Sequence, residues 1–461
     1  MYSAFLPAAL AAMLVSLAAG CANMPDTEFL TSRYTIQEAR FRTALGPLTT
    51  KQSAALVAEL KRKSGDFDIL DRQITLEQVI GGSTLVLGNK VMLLQDGPAT
   101  YAAMFAAIRG AKDHINVESY IFDDSDVGRQ FADLLLERQA TGVQVNLIYD
   151  SLGGILTSRA FFQRLADAGV AVLEFNPLNP LAVKKPWKIN HRDHRKLMVV
   201  DGRTAFLGGI NISSVYSSGS SFLHGANREG AVAGWRDTDI QIDGPVVAEF
   251  QRLFMQTWNK QKGKPLGARG YFPVVPKQGT VMVRAIGSTP DDPYSLIYLT
   301  LISAIINAEK QVCITNAYFV PDPQLLGALL AAAARGVDVR LVLPSTSDSG
   351  LAFHAGRSFY TQLLKGGVKI HERRGAPLHL KTAMIDGVWS CVGSSNLDWR
   401  SALDNDEINA IMLGREFAHQ MQTAFGRDIL ASDEIELPSW RRRSPILRLK
   451  ETFARLFGRL L

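Results

Sequence analysis

The chain has 461 residues, too many for one ordinary hydrophobic core, so two domains plus additional segments are expected. An apolar share of 47% beside a charged share of 20% excludes an intrinsically disordered chain. The formal charge of +6 belongs to one end: residues 441–461 hold seven basic residues against one acid, Glu451, which equals the entire excess. A near-neutral body with a basic tail argues against a nucleic-acid groove across the fold, and for a charged surface on which the tail sits.

Residues 1–17 form an apolar, Ala-rich run that is short for a membrane span and reads as an export signal. The run ends in Leu17-Ala18-Ala19-Gly20-Cys21, which resembles a bacterial lipobox, with Cys21 as the lipidated N-terminus of the mature protein. Two features depart from that pattern. No Lys or Arg precedes the run, and Ala18 stands three places before Cys21 with Leu17 one further out. A plain secretory signal or an uncleaved anchor is the alternative for residues 1–21. Ala22 lacks the acidic character of an inner-membrane retention signal, so an outer-membrane lipoprotein is compatible.

Residues 22–85 read as a helical N-terminal segment, with Thr50 capping a helix over 51–63 whose Ala54, Leu56, Val57 and Leu60 fall at helical spacing. Beyond residue 85 the chain says the same thing twice. The first pass is a helix at 101–111, a strand at 115–122 and a helix at 128–140, then Gly142-Val143-Gln144-Val145 leading into a strand at 146–150. The second is a helix at 297–308, a strand at 312–320 and a helix at 324–335, then Gly336-Val337-Asp338-Val339 leading into a strand at 340–343. Each pass continues through another helix to a Gly-Val strand, at 168–172 and at 366–370. Strands alternating with helices specify βαβ units and a largely parallel sheet. The expected architecture is two tandem α/β domains, 86–265 and 266–440, packed about a pseudo-twofold axis. Their boundary falls in the Gly-, Lys- and Pro-rich stretch 260–276, and a basic amphipathic tail occupies 441–461. Cys313 and Cys391 sit in apolar, strand-like runs and read as two buried thiols rather than a disulfide.

Each pass ends in one block. The first is His194-Arg195-Lys196, four residues, Asp201, six residues, Gly208-Gly209, then Asn211. The second is His379-Leu380-Lys381, four residues, Asp386, six residues, Gly393-Ser394, then Asn396. On a strand, residues two apart leave the same face about 6–7 Å from one another, so His and Lys emerge together. Asp-Gly at 201–202 and 386–387 signals a tight turn, and the returning strand brings Asn beside His. Gly209 and Ser394 are small enough to let a ligand approach the backbone.

Two such hairpins meeting make a pocket of two His, two Lys and two Asn, suited to a phosphodiester. Asn211, Asn396, Gly209 and Ser394 are its expected phosphate contacts. One imidazole attacks phosphorus to give a phosphohistidine, and the other protonates the leaving alcohol and deprotonates the incoming one. Lys196 and Lys381 hold the non-bridging oxygens. No His/Cys cluster has metal-ligand spacing, and neither a metal nor any other cofactor is expected. Asp237, in Trp235-Arg236-Asp237-Thr238, and Glu407, in Asn405-Asp406-Glu407, each follow their motif and are expected to orient the histidines. Asp201 and Asp386 belong to the same catalytic set, bracing the hairpin or pairing with a cation.

These paired HxK(x4)D blocks resemble the phospholipase D superfamily, over residues 88–436. Within it the chain looks most like bacterial cardiolipin synthases. The supporting residues are Glu118-Ser119-Tyr120-Ile121-Phe122, Asn190-His191-Arg192-Asp193-His194-Arg195-Lys196 and Asn396-Leu397-Asp398-Trp399-Arg400-Ser401. The resemblance implies a phosphatidyltransferase acting on phospholipids, with His194 the nucleophile and His379 the acid/base. It also implies a membrane surface as partner, reached here through Cys21 and the basic tail. Hydrolysis by water, as in a phospholipase D, is the alternative, and a nuclease the weaker one. A catalytically dead lipid-binding module is disfavoured because both His, both Lys and both Asn are intact. Nothing points to a protein partner. One feature departs from the resemblance: cardiolipin synthases commonly carry N-terminal membrane helices or none, whereas an export signal would place this site in the cell envelope, facing the periplasm.

Three further expectations concern the surface. Residues 175–181, with Trp187, Lys184, Lys185 and Lys188, read as a lip that dips into headgroups. In the tail, Ile446, Leu449, Phe453, Leu456, Phe457 and Leu460 form one helical stripe with Arg448, Arg455 and Arg459 opposite, suited either to lipid or to docking on the body. His191 points away from His194 on a strand, and His354 is a candidate pocket residue.

Overall fold

The computed structural model describes residues 40–64, 69–74, 84–179, 190–218 and 234–461. The segment containing Cys21 and the 180–189 part of the expected lip lie outside the described residues.

The N-terminal segment is not purely helical. Strands β1 (Phe41–Thr43) and β2 (Gly46–Pro47) precede the helix Thr50–Ser64. That helix is capped by Thr49 rather than Thr50: Gln52 N donates to Thr49 Oγ1, and Thr49 N donates back to Gln52 Oε1. β1 pairs with β3 (Leu85–Gln95), so the segment extends the main sheet.

The first pass supplies β4 (His114–Ser119), β5 (Gln144–Asp150), β6 (Ala171–Phe175), the short β7 (Arg192–Asp193), β8 (Lys196–Val200), β9 (Thr204–Gly208) and β10 (Thr238–Asp243). The second supplies β11 (Val281–Ser288), β12 (Gln311–Asn316), β13 (Asp338–Pro344), β14 (Lys369–Arg373), β15 (Lys381–Ile385), β16 (Trp389–Gly393), β17 (Asn405–Leu413) and the short β18 (Ser432–Glu434).

Pairing runs β6-β5-β4-β8-β9-β10-β3 in one half and β14-β13-β12-β15-β16-β17-β11 in the other. The order is the same, which is the expected duplication. The sheet is more mixed than the βαβ reading predicts. Three strands of each half are parallel, and the motif hairpin adds antiparallel strands beside β4 and β12 because its Asp-Gly turn reverses the chain at once. β3 and β11 pair antiparallel and fuse the halves into one sheet.

Local sequence sets these elements. Ser125, Ser158, Ser295, Asp322 and Ser349 each accept a backbone N–H at a helix start. Gly142 and Gly336, at φ +92° and +89°, turn the chain from helix into β5 and β13 in the left-handed region that other residues resist. The helices that precede each motif cover an outer core in their own half. The helix that follows it, Val247–Lys260 or Arg415–Leu430, packs into a core that draws strands from both halves. Burying Phe250, Phe254 and Trp258 there contributes about 1.5–3 kcal/mol each, which resists separation of the halves.

Among the described residues, no helix is long and apolar enough to cross a membrane. Cys313 and Cys391 are buried thiols, and Cys391 Sγ accepts from Asn409 Nδ2. The tail forms a helix, Pro445–Arg455. It docks by its polar side: Arg443 pairs with buried Glu451 at 2.6 Å, and Arg455 lies over Phe359 at 4.3 Å. His354 packs beside this helix, with the charges of Lys450 and Arg357 near its ring, and not in the catalytic pocket.

Candidate active site

Each motif begins where its hairpin begins. Lys196 and Lys381 are the first residues of β8 and β15, and each histidine stands two places earlier. At the far end of each hairpin the turn closes with an i→i+3 bond, Arg203 N to Val200 O and Val388 N to Ile385 O. Its central pairs, Asp201-Gly202 and Asp386-Gly387, all have positive φ, as a type I′ turn requires.

The two motif aspartates therefore lie a strand length away from the histidines, at the hairpin tips. Asp201 accepts the backbone N–H groups of Lys112, Asp113 and His114 at 2.8–3.0 Å. Asp386 does the same for Glu309, Lys310 and Gln311 at 2.8–2.9 Å. Each carboxylate ties the hairpin tip to the start of the neighbouring strand. Asp386→Ala is expected to lower stability by about 2–4 kcal/mol, since three N–H groups lose their acceptor, and Asp386→Asn by less. Thermal unfolding of the two variants checks this, and an unchanged midpoint for the alanine variant would refute it.

The histidines meet their carboxylates crosswise. His194 Nδ1 lies 3.0 Å from Glu407 Oε1, and His379 Nδ1 lies 2.8 Å from Asp237 Oδ2. Each carboxylate thus comes from the other half, not from the half whose motif it follows. The backbone enforces the crossing. β7 pairs parallel with the start of β17, and His194 N donates to Asp406 O at 2.9 Å. The symmetric contact bridges Arg236 and Leu378, and His379 N donates to Arg236 O at 2.8 Å. The residue preceding each carboxylate therefore holds the backbone of the histidine it serves. Arg236 adds a bidentate pair to Asp428 in the second half and a bond to Asp96 in the first.

Gly209 and Ser394 serve these carboxylates, which corrects the expectation that they face phosphate. A Cβ on Gly209 would lie 2.3 Å from Asp237 Oδ1, so only glycine admits that carboxylate. Ser394 Oγ donates to Glu407 Oε2 and accepts from Ile408 N at 3.0 Å. Asn211 is likewise engaged within the protein: its Oδ1 accepts Ile121 N, and its Nδ2 faces Tyr216 Oη. Asn396 differs. Its Oδ1 is buried with no hydrogen-bond partner, in a small cavity it shares with Lys381.

Aromatic rings line the histidines: Tyr120 and Trp235 stand in sequence segments that point to the site, without an assigned role there, and Tyr216 escaped sequence reasoning. Tyr120 stacks edge-on to His194 at 5.2 Å between ring centres and lies under the Lys196 ammonium. Tyr216 Oη sits 3.1 Å from His379 Nδ1, and Trp235 packs on the same ring. The only sequence signal of Tyr216 was adjacency to the repeats. His191 is held at 2.8 Å by Asp406 and packs on Phe175, so it clamps the two halves together.

Burial dominates the electrostatics. It lowers the His194 pKa well below the usual range, with help from the Lys196 and Lys381 charges, and lowers His379 in the same direction. It also presses Lys196 down to about 7 and Lys381 to about 8, and raises Glu407 to about 7. Two neutral imidazoles, each fixed through Nδ1, and two cations at one point can bind an anion and exchange protons with it. Among the described residues, no group of His, Cys, Asp or Glu could hold a metal ion.

The chain matches the family described as "Cardiolipin synthase, PLD-like domain" over residues 104–258 and 301–429. It is 32% identical over 408 residues to a cardiolipin synthase of Alkalihalophilus pseudofirmus, a match spanning 87% of this chain and 78% of that one. Identity to a cardiolipin synthase of Geobacillus kaustophilus is 32% over 387 residues, or 83% and 74% of the two chains. Among solved structures, a phosphatidylserine synthase of Haemophilus influenzae superposes with a TM-score of 0.60 at 15% identity, over 80% of this chain and 95% of that one. That likeness concerns the fold.

Proposed function

Because the chain belongs to the phospholipase D-like family of the cardiolipin synthases, we propose that it is a phosphatidyltransferase making cardiolipin from phosphatidylglycerol. The observation that carries this reading is the crossed pair of buried imidazoles, each fixed at Nδ1 by a carboxylate of the opposite half.

His194 is the nucleophile. Its Nδ1 donates to Glu407, which leaves Nε2 with a lone pair to attack phosphorus. The P–O bond to glycerol breaks, and the departing oxygen takes a proton from His379. A second phosphatidylglycerol then gives its terminal hydroxyl proton to His379 while its oxygen attacks the phosphorus. The His194–phosphorus bond breaks, and cardiolipin leaves with glycerol as co-product. Lys196, Lys381 and Asn396 bind the non-bridging oxygens. A bound phosphate also offsets the lysine charges that disfavour protonated His379, so substrate prepares its own acid.

The sequence features at 1–21 and in the tail support a place at a membrane of the bacterial cell envelope, with Cys21 as lipid anchor. Incubation in phosphatidylglycerol vesicles, with product analysis by mass spectrometry, tests the reading. Cardiolipin and glycerol in equal amounts support it. Phosphatidic acid without cardiolipin would replace it with hydrolysis.

The same groups predict a bell-shaped pH dependence of kcat/KM. Glu407, raised to about 7, accepts from His194 only when ionised, so the rate climbs as pH rises through that value. Lys196 and Lys381, lowered to about 7 and 8, lose their charge above those values, so the rate falls again. The maximum is expected near neutrality. A rate still climbing at pH 9 would contradict this assignment.

A further inference from the structure

We infer that the edge of the sheet carrying the active site is a membrane-docking surface with two apolar feet, one on each half. The partner it fits is a bilayer rich in anionic phospholipid. The inference rests on the lipid reading above and adds where and how the molecule meets its substrate phase.

The catalytic residues lie at one edge. Lys196 pairs opposite Ser119, at the end of β4, and Lys381 opposite Asn316, at the end of β12. β5 and β13 run parallel to these strands, so the loops that follow them leave the same edge. The two loops are equivalent in the duplication, and each is anchored to the tyrosine segment beside a catalytic histidine. In the first half, Gly153 is packed against Tyr120 O so closely that a Cβ would lie 2.0 Å away, and Thr157 Oγ1 donates to Phe122 O. In the second, Tyr318 Oη donates to Asp348 at 2.6 Å, and Tyr318 packs on His379.

Apolar side chains reach solvent beside each loop, from the first loop itself and, in the second half, from the tail helix that packs beside the second. Ile155 and Leu156 form the first foot, at 60% and 96% exposure. The second is larger. The helix Gly350–Arg357 after β13 receives the tail helix Pro445–Arg455, which docks polar side down. Arg443 lies over Trp440, Arg455 over Phe359 and Arg459 over Trp399, and Glu451 and Ala454 are buried. The apolar stripe therefore points outward, with Leu449 at 70% and Leu456 at 73% exposure beside Ile446 and Phe453. A soluble protein places a helix the other way round. The chain terminus returns to the active-site motif, where Arg400 N donates to Leu461 O at 2.9 Å.

Charge selects the occupant. Arg441, Arg442, Arg448 and Lys450 are exposed along this same foot, in the segment that holds the entire net charge of the chain. An apolar face bordered by cations fits the boundary between acyl chains and anionic headgroups. Two feet set apart on the two halves fit a plane better than a peptide groove.

Hydrogen–deuterium exchange of the full chain on vesicles tests the surface without requiring turnover. With phosphatidylglycerol vesicles, peptides covering 151–158 and 445–457 are expected to exchange about fivefold more slowly, and with phosphatidylcholine vesicles by less. The variant Leu156→Ser/Leu449→Ser/Leu456→Ser changes only exposed residues. It is expected to lose about tenfold or more of its turnover on vesicles while keeping its turnover on short-chain phosphatidylglycerol dissolved as monomers. Unslowed exchange in both peptides would overturn the inference, and so would an equal loss on both substrates. Slowed exchange of 445–457 that needs only higher protein concentration would assign the face to a second copy of the chain instead. If the segments are protected but no cardiolipin forms, the docking surface stands and the proposed reaction fails.

Discussion

His194→Ala is expected to lower phosphatidyl transfer by about 10⁴-fold or more, and no choice of leaving group restores it. The reason is that the variant removes the atom that bonds to phosphorus. His379→Ala removes only a proton carrier, and its loss depends on how much the leaving oxygen needs one. Glycerol, a poor leaving group, needs it in full. A phosphatidyl ester of p-nitrophenol does not, because nitrophenolate departs unprotonated. On that ester, the His379→Ala variant is expected to release one equivalent of nitrophenol in a burst and to stall as phosphatidyl-His194. Intact-protein mass spectrometry reads the adduct directly. A burst from His194→Ala with none from His379→Ala would reverse the assignment. Burial lowers both imidazoles in the same direction, and the contacts differ: His379 Nδ1 faces both Asp237 and Tyr216, whereas His194 Nδ1 faces Glu407.

The duplication was legible because it is written in fixed intervals. Positions such as His194 and His379, or Asp201 and Asp386, recur with the same spacing, and hairpin geometry translates spacing into a shared face. Asp237 and Glu407 were legible as candidate orienting carboxylates because each follows its motif, although the intervals differ, 43 residues after His194 and 28 after His379. Which histidine each one serves was not. That depends on β7 lying beside β17, a pairing between residues 213 apart in the chain, and local pattern carries no information about it.

The tail shows the same division. Its stripe is periodic and readable, but the face that docks is decided by Phe359, Trp399 and Trp440, which stack the arginines from elsewhere in the fold. Gly209 gave a misleading signal. A small residue in a binding motif suggests room for a ligand, and here the room is filled by the Asp237 carboxylate. The N-terminal strands β1 and β2 were missed because three- and two-residue strands are too short to show alternation.

The crossed carboxylates carry the second large effect. Glu407→Gln is expected to slow formation of the phosphatidyl-enzyme by about 10²–10⁴-fold with either leaving group. Glutamine can donate to Nδ1 of His194, which moves the ring proton to Nε2 and removes the lone pair needed for attack. Asp237→Asn removes the carboxylate that stabilises protonated His379, and therefore slows release of glycerol but not the nitrophenol burst. Were the pairing local, with Asp237 serving His194 in its own half, the two phenotypes would be exchanged. Stopped-flow burst rates on the nitrophenyl ester separate the cases. Gly209→Ala offers an independent check, since its Cβ forces the Asp237 carboxylate off His379 without altering a reacting group. Its kinetics are expected to follow Asp237→Asn, with the burst preserved and turnover on phosphatidylglycerol lost. If the burst is lost as well, Asp237 also supports the nucleophile, and the division of labour between the two crossed pairs does not hold.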